Sequence, residues 1–85
     1  MAKDQQLNIK QRFGKAIRRR RRELDFSQEE LAERAEMHRT YISDIERGVV
    51  NPSLELIEKL AEALDVTVAE LFTQYEIERK SGIDR

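Results

Sequence analysis

The stretch Ser27-Gln28-Glu29-Glu30-Leu31-Ala32-Glu33-Arg34-Ala35-Glu36-Met37-His38-Arg39-Thr40-Tyr41-Ile42-Ser43-Asp44-Ile45-Glu46-Arg47-Gly48 reads as two short helices and the turn between them. Ser27 is followed three residues later by Glu30, just before the apolar Leu31, Ala32 and Ala35, which is the pattern of a capping box opening a helix. Glu36-Met37-His38 is too short to be anything but a tight connection, with the Met37 side chain directed to the core. A further helix fits Arg39 to Arg47 and stops at Gly48, a residue that enters the left-handed conformation without steric penalty. The outer face of that helix decides the reading. At 100° per residue, Arg39, Thr40, Ser43, Asp44 and Arg47 fall within an arc of about 140°, and Tyr41, Ile42, Ile45 and Glu46 occupy the rest. Short hydrogen-bonding groups thus stand where an ordinary surface helix carries long Lys and Glu. Arg can grip guanine through two hydrogen bonds, and Thr can bond a base edge or touch a thymine methyl.

The helical period continues on both sides. Asn8 to Leu24 places Phe13, Ile17 and Leu24 on one stripe. Beyond the loop Val49 to Pro52, Ser53 is placed to cap a fourth helix with a core stripe of Leu54, Ile57, Leu60, Ala61 and Leu64. Thr67 with Glu70 forms a second capping box, and the helix it opens is expected to pass Leu71 and Phe72, then Tyr75 and Ile77, toward Ser81-Gly82. The expected fold is all-α, a compact five-helix domain over residues 8–75. Residues 1–7 are expected to be a flexible segment, and 76–85 a helical extension or frayed tail.

Composition narrows the function. Eighty-five residues fit one domain with a modest core, in which caps and buried polar pairs matter. The absence of Cys excludes disulfides, thiolate metal sites and a cysteine nucleophile, and the single His38 excludes a His-rich metal site. No nucleophile–base pair or Gly-rich phosphate loop suggests an enzyme or a cofactor. No apolar run approaches the roughly 18 residues of a membrane span. Met1 to Lys10 lacks the apolar stretch of a secretory signal, so a cytoplasmic protein is expected. The net charge of −1 is unevenly spread: residues 1–25 carry nine Lys/Arg against three Asp/Glu, residues 26–50 three against six, and residues 51–85 four against eight. The run Arg18 to Arg22 is consistent with a phosphate-facing side, or with a solvated helix face.

From Phe13 to Phe72 the sequence resembles the XRE family of helix-turn-helix repressors, typified by the lambda and 434 phage repressors. The resemblance rests on Ser27-Gln28-Glu29-Glu30-Leu31-Ala32, on Tyr41-Ile42-Ser43-Asp44-Ile45-Glu46-Arg47-Gly48, and on Asn51-Pro52-Ser53-Leu54. It implies a lambda-repressor-like domain whose third helix enters the major groove of double-stranded DNA. The family's base-reading positions fall on Arg39, Thr40, Ser43 and Asp44. Its phosphate-binding positions fall on Gln28, Arg47 and Asn51, with Tyr41 and His38 beside them. Its buried Arg–Glu pair falls on Arg21 and Glu46. Three departures stand out: Glu36 and Asp25 replace usual glycines, each strained by about 1 kcal/mol if the backbone stays left-handed, and Arg20 replaces a usual leucine and must carry its head to solvent. Asp44 either accepts from a cytosine amino group or pairs with Arg47 one turn on. His38 either caps the third helix or touches phosphate, with a sensor role as the alternative.

Leu56 lies off the core stripe, and with Leu71, Phe72 and Tyr75 it offers apolar surface for a two-fold partner. A homodimer on a palindromic operator follows, with no small-molecule ligand expected. Small members of the family include restriction-modification controllers and antitoxins, and an adaptor that keeps the fold mainly for protein contacts is the alternative reading.

Overall fold

A computed structural model of the chain describes residues 6–78. Five helices occur among them: α1 Ile9–Glu23, α2 Gln28–Ala35, α3 Arg39–Arg47, α4 Leu54–Ala63 and α5 Val68–Gln74. Side-chain oxygens begin four of the five. Asn8, Ser27, Ser53 and Thr67 accept from the backbone N–H three residues on, which satisfies a donor that the first turn leaves without an intrahelical partner. The reciprocal bond of a capping box occurs at Asn8/Gln11 and Thr67/Glu70. At α2 Glu30 instead pairs with Arg34 one turn along, so Ser27 caps alone.

Phe13, Ile17, Leu31, Ile42, Ile45, Leu60, Leu64 and Leu71 form the core, with Met37 half-buried against it. Leu54, the first residue of α4, departs from the expected stripe: it is 84 % exposed, so no neighbouring element covers it. The expected run of α5 past Tyr75 is also corrected. α5 ends at Gln74, Glu76 turns the backbone to φ 63°, and Ile77 folds inward until fully buried. The packed domain therefore reaches Ile77, beyond the expected boundary at 75. The expected helix end at Ser81-Gly82, and most of both expected tails, lie outside the described residues. At the other end the Leu7 carbonyl accepts from Arg12, whose Nε donates to the Ile77 carbonyl at 2.7 Å.

Asp25 and Glu36 do hold positive φ, at 62° and 59°, as does Asp65 at 59°. Arg20, however, does not carry its head to solvent. Its Nε donates to the Leu64 carbonyl at 2.9 Å and its Nη2 to that of Asp65 at 3.3 Å, so it caps the C-terminal end of α4.

α1 and α3 meet backbone to backbone. A Cβ built on Gly14 would stand 2.3 Å from the Ile45 carbonyl oxygen and 2.6 Å from that of Glu46. At Gly48, φ 75°, a Cβ would stand 2.7 Å from the Gln11 Cγ and 2.8 Å from its Cα. Two turns along α1 from Gly14, Arg21 reaches Glu46 through two bonds, Nε to Oε2 at 2.6 Å and Nη2 to Oε1 at 3.0 Å. The Arg21 Nη1 donates to the Phe26 carbonyl. Both residues are buried. Burial pushes the Glu46 carboxyl up, but hydrogen bonds from Arg21 and Gln28, with the charges of Arg21 and Arg18, outweigh it and hold the group below the usual carboxylate range.

Gly14→Ala should therefore destabilise by about 3 kcal/mol or more, since two carbonyls of a packed helix must move, and a thermal melt checks it. Glu46→Ala leaves Arg21 buried without its partner and should cost roughly 3–5 kcal/mol. Because the folded-state value of Glu46 is depressed, its stabilisation is complete above the unfolded-state value and is lost as pH falls through the folded one. The stability difference between the parent protein and Glu46→Ala in denaturant titrations should thus shrink below about pH 4, the ordinary glutamate range.

Candidate nucleic-acid interface

α3 presents its two faces as its period dictates. Ile42, Ile45 and Glu46 are buried, whereas Arg39, Thr40 and Arg47 are exposed and Ser43 and Asp44 half-buried. α2 crosses behind α3, and its first residue, Gln28, lies at the edge of this surface. The Gln28 amide nitrogen donates to Glu46 Oε1 at 3.0 Å, and its oxygen accepts from Arg39 Nη1 at 3.1 Å. A continuous chain of hydrogen bonds thus runs from buried Arg21 through Glu46 and Gln28 to exposed Arg39. Sequence reasoning paired Arg21 with Glu46 and gave Gln28 and Arg39 separate roles, but missed the links at Gln28, because amide direction is a tertiary fact.

Asp44 pairs with Arg47, Oδ1 to Nη2 at 2.5 Å, one turn along the exposed face. Of the two roles expected for Asp44, the structure displays this one; the pair holds Arg47 over α3. His38 is the N-cap residue of α3 but makes no side-chain cap; its carbonyl accepts from the Tyr41 and Ile42 N–H groups and its side chain is exposed. Tyr41 is half-buried against the core. Asn51 is exposed in the loop after α3. Arg39, Thr40, Tyr41, Ser43, Asp44 and Arg47 belong to α3, His38 and Asn51 to the segments flanking it, and Gln28 to the start of α2; of these, hydrogen bonds join Arg39 to Gln28 and Arg47 to Asp44.

The expected partner surface is less uniform. Leu71 is fully buried in the core and is withdrawn from it, since no partner can touch the residue without opening the domain. Phe72 is half-buried against Phe13, ring centroids 5.9 Å apart. The Tyr75 hydroxyl donates to Glu23 at 2.5 Å, and Arg19 stacks over its ring at 5.1 Å. That bond raises the Tyr75 phenol above its usual range and lowers the Glu23 carboxyl. Leu56 is half-exposed and packs on none of the core side chains.

These contacts also revise the arginine run. Arg19 serves Tyr75 and Glu23, Arg20 caps α4, and Arg21 binds Glu46. Neither a uniform phosphate-facing side nor a solvated face describes it. No group of three His, Cys, Asp or Glu placed to hold a metal occurs among the described residues, and no helix there is long and apolar enough to cross a membrane.

Residues 17–71 match the helix-turn-helix family model. The control protein C.BamHI of Bacillus amyloliquefaciens is 49 % identical over 65 residues, covering 75 % of this chain and 80 % of its own. Among solved structures, the restriction-modification controller protein C.AhdI from Aeromonas hydrophila is 43 % identical with a TM-score of 0.72, covering 74 % of this chain and 96 % of its own. SinR, the master regulator for biofilm formation, solved in complex with DNA, is 41 % identical with a TM-score of 0.66, covering 71 % of this chain and 97 % of its own. With the buried Arg21–Glu46 pair beneath an exposed, hydrogen-bonding α3, these similarities establish that the chain belongs to the XRE-type helix-turn-helix family, a family of transcription regulators and not of enzymes.

Proposed function

We propose that this protein is a sequence-specific regulator of the restriction-modification controller type, which binds a palindromic operator as a homodimer in the cytoplasm and needs no small-molecule ligand. The observation that carries the reading is the exposed face of α3, where Arg39 and Thr40 stand outward at the N-terminal end while Ile42, Ile45 and Glu46 anchor the helix beneath. An α-helix fits the major groove, and residues at its N-terminal end are the ones that reach base edges. Arg39 reads guanine, with Thr40, Ser43 and Asp44 alongside. Gln28, His38, Tyr41, Arg47 and Asn51 hold the backbone on either side. The relationship to C.BamHI and C.AhdI supports the controller assignment over other members of the family.

Two recognition helices must stand about 34 Å apart to enter successive major grooves, so the dimer contact lies away from α3. Leu56 on α4, with Phe72 and Tyr75 beyond it, is our choice. Leu56 gives the cleaner test, since Phe72 also packs on Phe13 within the protomer.

Selection of bound duplexes from a random pool should return a two-fold symmetric site. Arg39→Ala should cost about 1–3 kcal/mol and relax preference at one base pair of each half-site; selected sites identical to the parent's at every position would remove Arg39 from base reading. Leu56→Asp should lower the sedimentation coefficient at micromolar concentration from dimer to monomer and abolish tight binding to the full site while feeble half-site binding persists. A variant that stays dimeric places the interface elsewhere.

A further inference from the structure

Glu46 receives more donors than its ion pair needs. Oε2 accepts from Arg21, and Oε1 accepts from Arg21 and from Gln28, each at 3.0 Å. Arg18 comes third to Oε1, with its Nε at 3.5 Å. That distance is well beyond the 2.7–2.9 Å typical of a charge-assisted bond, and a carboxylate already satisfied by two partners holds a third weakly. The Arg18 side chain is 41 % exposed, and among the described residues its guanidinium has no other partner. Arg19, Arg20 and Arg21 are each committed to contacts within the fold.

The shared oxygen also fixes where Arg18 stands. Its Nε and the Gln28 Nε2 both lie on Glu46 Oε1, so the two nitrogens are at most about 6.5 Å apart. Two oxygens of one phosphate, about 2.5 Å apart and each accepting at about 2.8 Å, can bridge donors separated by up to about 8 Å. We propose that Arg18 binds a backbone phosphate of the DNA, and that it shares this phosphate with Gln28. In the free protein the weak contact to Glu46 keeps the guanidinium beside Gln28, and on binding its terminal nitrogens turn to the phosphate while Arg21 continues to neutralise Glu46. The arrangement rests on the reading that α3 enters the groove, which brings the start of α2 against the backbone.

Binding is measured across a salt series by fluorescence anisotropy, on a duplex the protein itself selects from a random pool and on a scrambled duplex of equal length. Arg18→Ala should melt like the parent, since Glu46 retains Arg21 and Gln28. Its affinity should fall by about tenfold on both duplexes alike, and the slope of log K against log salt by about 0.9 per protomer bound. Arg18→Lys should restore the slope, and Arg19→Ala, whose charge faces Tyr75, should leave it unchanged. When single phosphates are replaced by neutral methylphosphonate, the position to which Arg18→Ala loses sensitivity should coincide with the position to which Gln28→Ala loses it. An unaltered slope for Arg18→Ala, with normal binding by the parent, overturns this assignment alone. Loss of sensitivity at two different phosphates overturns the sharing. A parent protein that binds neither duplex overturns the groove reading and this proposal together.

Discussion

The close approach of α1 to α3 is the constraint on which the other contacts depend. Without a side chain at Gly14, the carbonyls of Ile45 and Glu46 come within reach of the α1 backbone. Helices in that proximity bring whatever lies two turns along into register, and here it is Arg21 that meets Glu46. The ion pair is accordingly held with two parallel bonds and little exposure, the geometry in which a guanidinium fork has the greatest advantage over an ammonium group. α3 is fixed by its inner face while its outer face remains exposed. Removing one partner of such a pair exposes the desolvation penalty of the other, so the orientation of α3 and the stability of the domain are coupled in the same few side chains.

Charge in this protein is used mainly for joining, and its distribution along the sequence gives little indication of that. Residues 1–25 carry nine basic side chains, yet Arg12, Arg19, Arg20 and Arg21 of α1 reach carbonyls of distant segments, a tyrosine ring and a buried carboxylate. Arg is suited to these tasks because its planar group carries five donors at fixed angles and stays charged when partly buried. No buried side-chain polar atom among the described residues lacks a partner.

Most of the fold was legible because it rests on local rules. Ser27, Ser53 and Thr67 are where an N-cap is required, Gly48 ends α3 in the left-handed conformation, and the division of α3 into two faces follows from its period alone. The failures share a cause. Angle around a helix tells direction but not how far the neighbouring surface extends, so Leu54 was placed in the core although nothing covers it. The same ignorance put Leu71 on the surface. Glu76 gave no sign of a turn, since glutamate is not among the residues that favour positive φ, and so Ile77 was assigned to a tail. Gly14 was the one missed position with a visible cue: an isolated glycine inside a helical pattern often marks a close backbone contact.

The contacts of α1 also bear on how the chain is made. Arg12 binds a carbonyl 65 residues ahead, Arg20 one 44 residues ahead, and Glu23 receives a hydroxyl from 52 residues ahead. During synthesis from the N-terminus, α1 can form early from its own capping box, but Phe13 and Ile17 have nothing to pack against until α3 emerges, and its end contacts wait for Tyr75 and Ile77. The domain consequently folds as one unit only once Tyr75 and Ile77 have emerged, and its apolar stripe stays open to other chains or chaperones until then.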